Sequence, residues 1–271
     1  MLMQLFMQLE NLVFLSLARE RWLFNSQVRE KGIMATLHQK DTSIQDTSFD
    51  KSLLTHLIRT PAYQLLGFIL HHRFKIDVYG REHLPVDRPF ILAANHSSHL
   101  DSLSLIIAGG FSFDKYVFLA AKDYFFDHKS LRLLLLQVFF NLAPFDRSPT
   151  PSAMKNNLNW CRACVVQNKN LIIFPEATRS LNGELQPFKC GCSLLAYELN
   201  LPIVPAYIKG AYDCLPKGVF WPKNGQIAVR FGQPLLMEHY AQTTSKLKSQ
   251  IYKKITHDLE QQIKYLRTFS A

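Results

Sequence analysis

The spacing of apolar positions changes along this chain, and the changes divide it into segments. In residues 1–24 Leu2, Leu5, Phe6, Leu9, Leu12 and Val13 share one helical face, with Gln4, Gln8 and Asn11 off it. Polar residues interrupt the apolar run and no basic stretch precedes it, so residues 1–35 read as an amphipathic helical segment and not as a secretory signal. Such a stripe suits a membrane surface or packing on the rest of the chain. Residues 36–49 are mostly polar and aperiodic, a linker. Residues 50–74 predict a hairpin of two short apolar helices, membrane-associating or else packed on the core. Asp50 caps the first, and Thr60 caps the second with Pro61 at its first position. Each is shorter than the ~20 apolar residues that span a bilayer. His71, His72, Arg73 and Lys75 form a basic edge beside them.

At Lys75 the pattern becomes strands alternating with helices. Ile76-Asp77-Val78 alternates and ends near Gly80. Phe90-Ile91-Leu92-Ala93-Ala94 is a short continuous apolar run after Pro89, the mark of a buried strand. Residues 100–108 predict a helix stopped by Gly109-Gly110, Tyr116–Ala121 a strand, Leu131–Asn141 an apolar helix, and Leu171–Phe174 a second buried strand. A helix falls within Leu185–Leu199 and a strand at Ile203–Ile208, where Pro205 sits; Ile227, Val229 and Phe231 alternate as a last strand. Helical crossovers between strands predict an α/β domain over residues 75–235: a mixed, largely parallel sheet flanked by helices. Residues 236–271 complete it with a basic amphipathic helix over 238–267, striped by Leu247, Ile251, Ile255, Leu259 and Ile263.

In such sheets the sites lie at the C-terminal ends of strands. The strand at 90–94 delivers Asn95-His96-Ser97-Ser98-His99-Leu100-Asp101 to that end. On one continuous helix His96 and Asp101 would stand about 140° apart, so they meet only if His96 lies in the turn and Asp101 on the helix after it. A carboxylate at the imidazole fixes its tautomer and stabilises the imidazolium form. His96 is therefore a candidate general base for a hydroxyl, with Asp101 orienting it. His99 lacks this spacing and reads as a surface or first-turn residue. Ser97 and Ser98 read as turn or capping residues, and no G-x-S-x-G elbow marks a covalent serine hydrolase. Arg147 in Phe145-Asp146-Arg147 and Arg179 in Phe174-Pro175-Glu176-Ala177-Thr178-Arg179-Ser180 occupy loops suited to bidentate phosphate recognition. Taken singly, each also reads as an ordinary surface charge.

Composition narrows the partners. Hydrophobic residues are 48% of 271, which supports a packed core and excludes global disorder. A formal charge of +10 suits anionic partners, a membrane surface or a phosphorylated substrate. No zinc-finger or RNA-binding aromatic signature accompanies that charge, so nucleic acid is not an expected partner. Five closely spaced cysteines fit a reducing compartment better than a disulfide framework. Cys161 and Cys164 with Cys190 and Cys192 have zinc-like spacing, but Met154, Leu158, Cys161 and Val165 form a helical stripe. Cys161 thus reads as a core residue, and no metal site is expected.

The clusters, in this order, resemble the glycerolipid acyltransferases of the 1-acylglycerol-3-phosphate acyltransferase type. His96 and Asp101 match the family's H-x-x-x-x-D, Arg147 the arginine of its second block, Phe174 to Ser180 its F-P-E-G-T-R-S, and Leu201 to Pro205 its proline-containing fourth block. Phe188-Lys189 and Gly191 fit the segment after the third block, and the resemblance runs from about Ile76 to Pro234. It implies transfer of a fatty acyl group from a thioester, acyl-CoA or acyl carrier protein, to the hydroxyl of lysophosphatidate, giving phosphatidate. No cofactor beyond that co-substrate is implied. His96 would take the hydroxyl proton and Asp101 would orient it. Arg147, Glu176, Thr178 and Arg179 would shape the acceptor site, with the arginines on its phosphate. The resemblance also implies a membrane-associated enzyme acting at the cytoplasmic face. Other readings are an acyltransferase for a different lysophospholipid or lipid-like acceptor, and a non-catalytic peripheral membrane-binding protein. Two departures bear on the head group: Ala177 stands where the family usually has glycine, and Pro144 where it has an aliphatic or aromatic residue.

Overall fold

The computed structural model describes residues 74–110, 112–125, 141–148, 150–219, 222–241 and 247–269, all within the unit Tyr63–Ala271. The expected amphipathic segment at 1–35, the linker at 36–49 and the hairpin as far as residue 73 lie outside the described residues. So does the apolar helix expected from Leu131, as far as residue 140.

Seven strands form one sheet: β1 (Phe74–Tyr79), β2 (Ile91–Ala94), β3 (Tyr116–Ala121), β4 (Leu142–Phe145), β5 (Asn170–Ile173), β6 (Ile203–Lys209) and β7 (Gly225–Phe231). Their order is β1-β7-β6-β2-β5-β3-β4. The five strands from β6 to β4 run parallel, and β7 pairs antiparallel with β6. β1 lies parallel to β7 at that edge. Among the described residues, four longer helices accompany the sheet: α1 (Leu100–Gly109), α2 (Pro151–Val166), α3 (Gly191–Leu199) and α4 (Lys248–Thr268). The architecture is α/β with a mixed, largely parallel sheet.

Period-two alternation on the buried strands divides the core between two faces. Leu92 and Ala94 of β2, Val204, Ala206 and Ile208 of β6, and Ile227 and Val229 of β7 pack with Leu100, Leu105 and Ile106 of α1. Ile91 and Ala93, Leu171 and Ile173, and Ile203 and Tyr207 face the other way. That second layer is completed by Cys161 and Cys164 of α2, Leu195 of α3, and Ile251, Ile255, Leu259 and Ile263 of α4. Burial pushes the Cys161 thiol up to about 12 and the Cys164 thiol to about 11, so both are neutral core side chains.

Local chemistry sets the ends of these elements. α1 stops where Gly110 takes φ +71° and donates its N–H to the Ile106 carbonyl. α2 starts at Thr150, whose hydroxyl accepts from Ala153 N at 3.2 Å, with Pro151 in the first turn. Pro205 is tolerated inside β6 for a geometric reason. Its carbonyl accepts from Gly232 N at 2.8 Å, on the β7 side, so its missing N–H falls on that side and not on the ladder with β2. Two elements differ from expectation. β4 was not foreseen, being four residues long with Pro144 inside it on an edge strand. The helix expected over 238–267 is instead a short turn of helix at Glu238–Ala241 and α4 from Lys248.

Candidate active site

The chain leaves β5, passes through α3 and returns on the far side of β2 as β6. β2 is thus the point where the strand order reverses, and the crevice beyond its C-terminal end is the place such sheets offer for a site. Two loops meet there: 95–99 after β2, and 174–186 after β5.

Asn95 extends β2 by one polar step. Its amide donates to the Ile208 carbonyl at 3.0 Å and accepts from Ile208 N at 2.7 Å, imitating a ladder pair with β6. The chain then turns at His96 and enters α1, and the turn brings His96 onto Asp101. The Nδ1–H donates to Asp101 Oδ2 at 2.9 Å. The same oxygen accepts from Ser97 N at 2.6 Å and Ser98 N at 2.7 Å. Asp101 is fully buried, and its Oδ1 has no hydrogen-bond partner. Because a carboxylate only accepts, this arrangement holds the proton on Nδ1 and leaves Nε2 as the basic nitrogen. The Phe174 ring stacks on the imidazole at 4.0 Å between centroids and 13° between planes, which fixes the plane of the base.

Glu176 joins the two loops. Its carboxylate accepts from His96 N at 2.9 Å and from Gln186 N at 3.0 Å, while Ser180 N donates to the His96 carbonyl at 2.8 Å. The main chain of His96 is therefore gripped on both sides by the loop after β5. Burial pushes Glu176 up to about 7, outweighing the two N–H bonds that favour its charged form; the nearby Asp101 charge adds to the rise. Ala177 takes φ +60°, the left-handed conformation for which the family's glycine is suited.

The remaining expected residues divide. Thr178 and Arg179 line a cavity of about 370 Å³ together with Ser180, Leu181, Asn182, Gln186 and Lys217. Arg179 bonds through its guanidinium to His99 Nε2. His99 is exposed at the N-cap of α1, where the sequence put it, but it carries this second contact. Arg147 is placed beside the loop and not in the cavity lining. It donates to the Ala177 carbonyl at 3.4 Å and pairs with Asp123.

Lys217 is the residue that sequence reasoning missed, and Ser98 makes a long-range contact that it did not foresee. The Ser98 hydroxyl donates to the Leu215 carbonyl at 2.7 Å and accepts from Leu100 N at 3.1 Å. It is the turn residue expected, and it also pins a segment far along the chain. The available signal for that segment was Pro216-Lys217-Gly218, a turn motif bearing a cation.

The sequence model of the family described as Acyltransferase matches residues 75–209. The chain is 28% identical over 177 residues to the human 1-acyl-sn-glycerol-3-phosphate acyltransferase alpha, covering 63% of this chain and 59% of that protein. It is 30% identical over 199 residues to the 1-acyl-sn-glycerol-3-phosphate acyltransferase of Limnanthes alba, covering 72% and 64%. The chain thus spans less than two thirds of either relative's length. Its fold is similar to the crystal structure of the 1-acyl-sn-glycerophosphate (LPA) acyltransferase PlsC from Thermotoga maritima, with a TM-score of 0.53 and 19% identity over 96% of this chain and 98% of that one.

Proposed function

The chain belongs to the acyltransferase family through residues 75–209, and on that premise we propose that it transfers a fatty acyl group from a thioester to the hydroxyl of lysophosphatidate, forming phosphatidate. The observation that carries this reading is the His96 imidazole, held on Asp101 through Nδ1 beside a cavity lined by Arg179. His96 Nε2 accepts the proton of the acceptor hydroxyl as its oxygen attacks the thioester carbonyl carbon. The carbon–sulfur bond breaks, and the proton on His96 passes to the departing thiolate. Oxygen attacks the acyl carbon directly, so no acyl-enzyme forms. Asp101 stabilises the imidazolium through the bond it already makes. Glu176 holds the His96 main chain, Thr178 and Arg179 face the head group, and Arg147 supports the Ala177 carbonyl at the rim.

The donor is acyl-CoA or acyl carrier protein, and the acceptor is a lysolipid presented at a membrane surface, with the enzyme on the cytoplasmic face. The charge of +10 favours an anionic bilayer. Among the described residues no helix is long and apolar enough to cross a membrane. Relatives named for acylating lysophosphatidate support that acceptor over other lysolipids. The test is a matrix of initial rates: the full chain, acyl-CoA or acyl carrier protein as donor, and several lysolipids as acceptors. Lysophosphatidate should give the highest kcat/KM. Preference for a lysolipid without a phosphate monoester would favour the alternative acceptor, and absence of transfer with every pair would favour the non-catalytic membrane-binding protein.

A further inference from the structure

Arg179 is not the sole cation at the acceptor cavity. Lys217 lines it too, and no acidic residue does. Glu184, in the same loop, is engaged at 2.7 Å by Arg267, so its charge is already answered. Arg147, the other cation expected on a phosphate, is held by Asp123 and the Ala177 carbonyl and lies outside the lining.

The position of Lys217 is built and not accidental. Ser98, two residues beyond His96, bonds to the Leu215 carbonyl and forms an antiparallel bridge with Pro216. The chain then turns: Val219 N donates to the Pro216 carbonyl at 3.2 Å, and Gly218 takes φ +91° at the position where such a turn needs a positive angle. Lys217 is the other central residue of that turn, so Pro216 and Gly218 present it. The neighbouring wall is fixed as well, since Tyr212 Oη donates to the Leu181 carbonyl at 2.9 Å. One end of this turn is therefore tied to the catalytic turn, and its cation faces the loop that carries Arg179.

We propose that Lys217 is the second cation of the acceptor head-group site, sharing a phosphate monoester with Arg179. This rests on the lysophosphatidate reading above. Arg179 offers a planar fork oriented by His99, and Lys217 adds a compact charge from the turn after Pro216. Together they balance a phosphate dianion. A cavity of about 370 Å³ is at the small end of ligand sites, the size for a head group and not for a whole lysolipid.

The experiment compares the full-length wild type with Lys217→Met and Lys217→Arg in two assays. One is acyl transfer to lysophosphatidate. The other is binding of glycerol 3-phosphate, followed by phosphorus NMR relaxation without any acyl donor. Lys217→Met should raise KM for lysophosphatidate about tenfold, with kcat within about twofold, and should weaken glycerol 3-phosphate binding by a similar factor. Lys217→Arg should keep most of both, and KM for the thioester should not move. Unchanged KM and unchanged binding in Lys217→Met, or no glycerol 3-phosphate binding by wild type, would overturn the proposal even if lysophosphatidate is acylated. Lys217-dependent binding without any acyl transfer would uphold the cation pair and refute the reaction instead.

Discussion

Ala177 shows how one residue can depart from its family and still fold. It keeps the turn that begins with its N–H on the Phe174 carbonyl, at 3.0 Å, but must hold φ +60° with a Cβ. A left-handed L-residue costs roughly 1–2 kcal/mol, part of which glycine returns through its more flexible unfolded chain. Ala177→Gly should therefore stabilise the protein by about 0.5–1 kcal/mol in urea unfolding; a loss of stability would mean that the turn does not carry this strain. Its neighbour Glu176 couples the fold to pH. The folded carboxyl titrates near 7, above its ordinary value of 4.5, so between those pH values the folded state holds more of the proton. Stability conferred by this group is fully present below about 4.5 and is lost as pH rises through 7. The shift corresponds to something on the order of 3 kcal/mol. Urea unfolding of wild type and Glu176→Gln at a series of pH values should show the wild type falling relative to the variant between about pH 4.5 and 7 and level above that. A constant difference would remove burial of the charge as the cause.

At the level of elements, the site is held by connections that reach across the sheet. Ser98 joins the start of α1 to the segment after β6, so Ser98→Ala should loosen the 215–219 turn without touching His96. Removing the hydroxyl leaves the buried Leu215 carbonyl unpaired, which costs about 1–3 kcal/mol. The expected result is lower stability with a raised KM for the acceptor and little change in kcat; a fall in kcat alone would place Ser98 in the chemistry. Such ties also explain what could be read from residues alone. β2, β5 and β6 are continuous apolar runs bounded by polar turns, and the His96–Asp101 contact is local, so the centre of the fold and this pair were legible. β4 was not, because Leu142-Ala143-Pro144-Phe145 is short and contains a proline. The break before α4 was hidden by an apolar stripe that begins at Leu247 and hides the short turn of helix before it. Pairings such as Ser98 with Leu215, Arg179 with His99 and Lys217 with the Arg179 loop join residues far apart in the chain. Only the strand order creates them.

Across the whole molecule, the net charge of +10 predicts attraction to anionic bilayers. The full chain should sediment with vesicles containing anionic phospholipid at low ionic strength and be partly released at about 1 M salt, where screening shortens to roughly 3 Å. Binding indifferent both to salt and to lipid charge would contradict electrostatic attachment. The sheet places His96 where β2 ends, between strands β5 and β6. The decisive measurement is the initial rate of phosphatidate formation from lysophosphatidate and acyl-CoA by wild type, His96→Ala and His99→Ala, with urea unfolding of each. Loss of a general base costs on the order of 10²–10⁴ in rate. His96→Ala should lose that much while remaining folded, and His99→Ala should keep kcat within about tenfold, its effect falling on KM through Arg179. Equal losses in the two variants, or full activity in His96→Ala, would contradict His96 as the base.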